Sequence, residues 1–176
     1  MRSLAALFDA IDPEIAALSD IDAGDALATS TRFDREWAYR GGQALLWKRR
    51  FVAHAVHDLY LPMSGVLPFD LRGLLWVDAA YDDTHFHVFA TQFAGDRTAV
   101  RGLRFARAAV RAVKGNVLLF VSDPGSSRLG FADLGLKSIT PSSDLAIWAR
   151  GFRLDLERYS ENEDGLGSIA VANARA

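Results

Sequence analysis

Residues 116–125 read NVLLFVSDPG. Five apolar residues, Val117 to Val121, run straight into Ser122-Asp123-Pro124-Gly125. A short unbroken apolar run closed by turn residues predicts a strand buried on both faces. The strand is preceded by an amphipathic pattern over residues 97–113. Leu103, Ala106, Val110 and Val113 fall on one helical face, and Arg97, Arg101, Arg104, Arg107 and Arg111 on the other. Upstream again, Leu74–Tyr81 and His85–Gln92 alternate as strands around the turn Asp82-Asp83-Thr84. A hairpin, a helix and a buried strand in that order predict a sheet with a helix packed on its outer face.

The flanking sequence extends this pattern. Leu4, Leu7, Phe8 and Ile11 recur at helical spacing before Asp12-Pro13, and a second short helix is expected over 25–32. Strands are expected at Ile15–Leu18, Trp37–Arg40, Gln43–Lys48 and Phe51–Leu61, with breaks at Gly41-Gly42 and Arg49-Arg50. Met63–Phe69 reads as a loop, and Leu145–Ala149, Phe152–Leu156 and Ile169–Ala172 as closing strands. The expected fold class is α+β, sheet packed on sheet with helices outside, in a single domain over 1–176.

Composition excludes some chemistry. The chain has 176 residues and no cysteine, so disulfides, thiolate zinc sites and a cysteine nucleophile are ruled out. Twenty Lys and Arg stand against twenty-two Asp and Glu, which gives no overall attraction to nucleic acid. No apolar run approaches the roughly 20 residues of a membrane span, and the N-terminus lacks a secretory pattern. A cytoplasmic protein is expected.

Asp123 closes a buried strand, where a carboxylate can be aimed at a cation or an attacking water. The plainer reading is an Asx-type turn before Pro124-Gly125. Asp20, with Asp22 and Asp25 close by, is a second strand-end carboxylate. It suits a hard cation such as Mg²⁺, or a helix cap in an acidic loop. His85 and His87 form an H-x-H on one strand face, without a third ligand at fitting spacing. His54 and His57, an odd number apart, are expected on opposite faces. The arginine stripe from Arg97 to Arg111 could bind phosphates or be a solvent face. SDPGSSRLG lacks the lysine of a P-loop, and no G-x-S-x-G supports a serine nucleophile.

The order of these pieces resembles the endonuclease/exonuclease/phosphatase superfamily, the fold of pancreatic-type deoxyribonucleases and of sugar- and lipid-phosphate phosphatases. That family shows an opening strand with Asn, a strand ending in Gln-Glu and a Gly-Asn-Ala-Ile-Leu strand. A hairpin ending in Asn-Thr-His, a helix, a strand ending in Gly-Asp-Phe-Asn and a closing Ser-Asp-His follow. The corresponding stretches here are IAALSDID, GGQALLWKRRF, RGLLWVDAAYDDTHFHVFATQF, NVLLFVSDPG, SSDLAIWARG and GLGSIAVANA. The resemblance implies a four-layer sandwich of two mostly antiparallel sheets with flanking helices. It also implies Mg²⁺-assisted attack of water on a phosphoester at one end of the sheets.

The departures from the family pattern all fall on the chemistry. The chain opens on its first helix, so the opening strand and its Asn have no counterpart. Asp20 stands where Glu holds the metal, and Gln43 where the family has Asn. Gln92 replaces the hairpin His; it can hydrogen-bond a phosphate oxygen but cannot titrate near neutral pH. Asp123 matches the water-orienting Asp, yet its partner Asn is Gly125. Asp144 is an approximate match, and Gly167-Ser168 replaces the closing triplet without a histidine. The residual set is thus Asp123, Gln92 and Asp144 for catalysis and Asp20 and Asp123 for metal. The expectation is a phosphoesterase-like domain with a degraded site and weak or no Mg²⁺ binding, acting as a binding module. A weak metal-dependent phosphodiesterase or phosphatase is the alternative, and nucleic-acid binding through Arg97–Arg111 a third. A partner chain or a second copy is expected to cover the edge left by the missing strand.

Overall fold

The structure, a computed structural model, describes residues 4–60, 73–92, 96–122, 130–139, 145–160 and 169–175. Three helices and eleven strands follow in the order α1 (Leu4–Ile11), β1 (Ile15–Ser19), α2 (Ala23–Arg32), β2 (Arg35–Arg40), β3 (Gln43–Lys48), β4 (Val52–Tyr60), β5 (Gly73–Tyr81), β6 (Thr84–Gln92), α3 (Asp96–Ala112), β7 (Asn116–Ser122), β8 (Lys137–Ile139), β9 (Leu145–Arg150), β10 (Arg153–Ser160) and β11 (Ile169–Arg175). A 3₁₀ turn, Ala132–Leu134, precedes β8.

The strands form a three-stranded sheet ordered β1-β3-β2, a six-stranded sheet ordered β4-β5-β6-β7-β9-β8, and the hairpin β10-β11. Among the described residues all pairings are antiparallel except β6 with β7, the pair that α3 connects. A parallel pair needs a crossover, and a helix supplies it. Strand alternation then sorts the core into layers. Ala38, Leu45 and Trp47 of the small sheet meet Leu75, Val77, Ala79, Phe86, Val88 and Ala90 of the large one. Leu103, Ala106 and Val110 of α3, with Val113 just past its end, cover the outer face of the large sheet at Phe89, Val117, Leu119, Val121 and Trp148. Phe8 of α1 and Ala26 of α2 cover the outer face of the small sheet at Ala44 and Leu46. Helix, sheet, sheet and helix make four layers, as the sequence led us to expect.

Turn chemistry fixes the registers. Gly41 and Gly42 both have positive φ, 48° and 83°, the geometry of a two-residue type I′ hairpin. This turn sets Arg40 directly opposite Gln43. Asp12, at φ 46°, ends α1 and accepts ion pairs from Lys48 and from Arg35, whose side chain is 2% exposed. The Lys48 ammonium, then the Arg35 guanidinium, hold the Asp12 carboxyl below its ordinary value. Burial pushes Glu14 up, but hydrogen bonds from Lys48 and Arg50 outweigh it and the net direction is down. This cluster closes one end of the small sheet, leaving the other end for polar residues of a different kind.

One expectation is overturned. His54 and His57 share a face, because a bulge between Ala53 and Ala55 inserts a residue into β4. His57 stacks on Trp76 at 4.1 Å and His54 on His85 at 5.1 Å. No helix among the described residues is long and apolar enough to cross a membrane.

Candidate functional site

Six strand ends meet at one rim. Ser19 ends β1 and pairs with Gln43 at the start of β3, which pairs with Arg40 at the end of β2. On the large sheet, Gln92 ends β6 and lies in register with Ser122, which ends β7 and pairs with Leu145. The two rims are joined by a hydrogen bond across the layers. Gln92 Nε2 donates to both carboxylate oxygens of Asp20, at 3.1 and 3.3 Å. Those residues are 72 apart in sequence.

Strand parity makes this rim chemically distinct. Gln43 has the parity of Leu45 and Trp47, and Arg40 that of Ala38, so both face the space between the sheets. Gln92 shares parity with Ala90, and Ser122 with Phe120. The apolar interlayer therefore ends in Ser19, Arg40, Gln43, Gln92 and Ser122. Arg40 is 6% exposed and Gln43 2%, and among the described residues Gln43 Nε2 has no hydrogen-bond partner. An orphaned, buried amide N–H costs roughly 1–3 kcal/mol if nothing receives it, so an acceptor is called for. Asp20 itself is exposed and sits at φ 56°, a left-handed conformation that Asp tolerates better than most residues.

Of the sequence-derived site residues, Asp20 and Gln92 are brought together. Asp123 and Asp144 lie outside the described residues, while their neighbours Ser122 and Leu145 are paired at the rim. Asp22 caps α2, its Oδ1 accepting from Asp25 N at 2.8 Å. Arg107 of the helical stripe bonds the Gly130 carbonyl and Asp133, so it is committed to packing. Arg40 was missed in the sequence. Its signal was an arginine immediately before a Gly-Gly hairpin, on the apolar parity of its strand.

The four histidines all lie elsewhere, on the outer face of β4 to β6. Trp76 Nε1 donates to His87 Nδ1 at 3.3 Å, and Asp78 lies 3.6 Å from the same nitrogen. His87 is five residues before Gln92 on β6, about 17 Å along the strand, and His85 is about 23 Å away. Among the described residues the rim thus has a guanidinium, two amides, hydroxyls and the Asp20 carboxylate, with no imidazole.

The described residues do not by themselves make a magnesium centre. They supply one carboxylate, and both of its oxygens already accept from an amide. Among the described residues, no three His, Asp or Glu side chains gather to hold a metal ion. Mg²⁺ prefers oxygen ligands and water, whereas the buried groups here are N–H donors.

No family model matches the sequence, and no curated protein does. The fold does match solved structures. An endonuclease/exonuclease/phosphatase family protein from Bacteroides thetaiotaomicron superposes with TM-score 0.70 at 14% identity, over 90% of this chain and 76% of that one. D. rerio TDP2 complexed with a single-strand DNA product gives 0.69 at 10%, over 94% and 85%. The human Nocturnin catalytic domain with a bound sulfate anion gives 0.65 at 12%, over 96% and 83%. This chain has the endonuclease/exonuclease/phosphatase fold.

Proposed function

We propose that this fold carries a phosphoester-binding rim from which the hydrolytic machinery has been lost, so that the domain acts by binding. The supporting observation is the position of the histidines. All four are accounted for, and all lie along the outer face of β4 to β6, away from the rim where Asp20 meets Gln92. General acid–base groups typically contribute ~10²–10⁴ in rate each, and amides and guanidinium cannot supply that proton transfer near neutral pH. What remains suits an anion: the Arg40 charge, the Gln43 amide, which has no partner among the described residues, and the Gln92 amide. The Nocturnin catalytic domain, similar in fold, was solved with a sulfate anion. That supports a tetrahedral oxyanion as the ligand class here.

A second reading is a weak metal-dependent phosphodiesterase or phosphatase using Asp20, Asp123 and Asp144. It is favoured by one observation, that Asp20 shares its rim with the paired ends Ser122 and Leu145. Calorimetry separates the two. Inorganic phosphate should release heat with the native protein and not with Gln92→Leu, while Mg²⁺ or Mn²⁺ up to millimolar levels should give none. Metal binding abolished by Asp20→Ala would favour the second reading, and silence toward phosphate would sink the first. Nucleic-acid binding through the α3 arginines ranks third, since Arg107 is already engaged.

A further inference from the structure

The rim that offers amides to an anion also carries a fixed negative charge. Ser19 lies opposite Gln43, and Ile21 N bonds Gly42 O at 3.1 Å, so the chain on both sides of Asp20 is pinned to the β2–β3 hairpin. From there the Asp20 carboxylate reaches across the layers to Gln92 Nε2, 3.1 and 3.3 Å away. A carboxylate thus stands beside both amides, Gln43 of the small sheet and Gln92 of the large one. Among the described residues no Lys or Arg pairs with Asp20. Of the rim residues described, Arg40 is the one cation. In sequence, the residues next to the rim ends Ser122 and Leu145 are Asp123 and Asp144, acids and not cations.

Ligand charge enters binding in two ways. The cost of taking an ion out of water rises with the square of its charge in the Born picture, whereas its attraction to fixed charges rises only in proportion. Arg40 and Asp20 are equal and opposite, so a second charge on the ligand adds cost without a matching attraction. The Gln43 and Gln92 amides are neutral and together suit two acceptor oxygens.

We propose that Asp20 is a charge filter, which restricts the rim to singly charged oxyanions and makes its ligand a phosphodiester rather than a phosphomonoester. The inference rests on the phosphoester-binding reading above and names the class within it. A diester has one charge and two non-ester oxygens, one for each amide. A monoester has two charges in mildly alkaline solution and meets Asp20 with both. Inorganic phosphate binds through its singly charged form. The size of the effect follows from the contact with Gln92. A ligand oxygen accepting from the other N–H of Nε2 lies about 3 Å from that nitrogen, hence at most about 6 Å from the carboxylate. At that separation in water-like surroundings, one unit charge changes affinity roughly threefold for a monoanion and roughly tenfold for a dianion, because the exponent doubles.

The side-chain amide signals of Gln43 and Gln92 are followed by NMR at about pH 8, where a phosphomonoester is doubly charged. The probes are dimethyl phosphate and methyl sulfate, each singly charged, and methyl phosphate and sulfate, each doubly charged. In the native protein the monoanions shift both amides at lower concentration than the dianions. Asp20→Asn keeps an acceptor for Gln92 and removes the charge; it tightens the dianions roughly tenfold and the monoanions roughly threefold. Asp20→Glu keeps the charge and the native order. Dianions binding the native protein as tightly as monoanions overturn the proposal while leaving an anion-binding rim in place. An equal gain for both classes in Asp20→Asn does the same. Silence of both amides toward all of these anions removes the phosphoester-binding reading itself, and the filter with it.

Discussion

Gly151, in the turn between β9 and β10, has φ 80°, and a Cβ placed there would fall 1.9 Å from Asn116 Oδ1 and 3.2 Å from Asn116 Cα. Gly151→Ala therefore meets two costs. The left-handed backbone costs an alanine roughly 1–2 kcal/mol. The Asn116 side chain must also swing away, and its Nδ2 bond to the His85 carbonyl, 3.1 Å, is lost at about 0.5–1.5 kcal/mol. The expected total is about 2–3 kcal/mol. Gly42→Ala is the control, because Gly42 has φ 83° but nothing within 4 Å of the added Cβ, so only the backbone cost of roughly 1–2 kcal/mol applies. Urea unfolding of both variants measures the difference. Adding Asn116→Ala to Gly151→Ala should recover about 1 kcal/mol relative to the sum of the single losses, since the clash disappears. Equal losses at the two glycines, or strict additivity in the double variant, would refute this packing of β7 against the β9 turn. With it would go the register that sets Leu145 opposite Ser122 at the rim.

Other consequences are as direct. Asp12 and Glu14 both titrate below their ordinary values, so the stability they contribute is complete above about pH 4–5 and is lost as pH falls through the depressed values. Thermal melts should show a drop on acidification that Lys48→Met makes shallower; an unchanged acid limb would contradict the cluster. Asp20→Ala and Gln92→Ala should couple by roughly 0.5–1 kcal/mol in a double-mutant cycle of unfolding free energies, and zero coupling would remove the bond across the layers. Val110, fully buried on the sheet-facing side of α3, should cost about 2–3 kcal/mol on truncation to alanine, against less than about 0.5 for the half-exposed Val56.

Much of the fold could be read because its signals are local. The apolar face of α3 at Leu103, Ala106 and Val110, continued by Val113, is set by helical spacing, and each of those residues is buried. The β7 run and the Gly41-Gly42 and Asp82-Asp83 turns likewise carry their geometry in a few residues. β8 was not legible, since three residues of an edge strand leave no period to detect. The shared face of His54 and His57 depends on a bulge, which shifts parity without a sequence mark. The site was legible only in part. Asp20 and Gln92 are ordinary strand-end residues until two sheets stack, and their contact spans 72 positions. Arg40 and Gln43 acquire meaning from a hairpin register that turns both toward the interlayer.

The central claim is that the rim binds without hydrolysing, and metal-dependent turnover tests it most directly. Purified protein would be assayed near neutral pH with 4-nitrophenyl phosphate and bis(4-nitrophenyl) phosphate, in the presence of Mg²⁺ or Mn²⁺, beside Asp20→Ala. The account requires both proteins to match the buffer blank. Metal-stimulated release of nitrophenol by the native chain, abolished in Asp20→Ala, would contradict it.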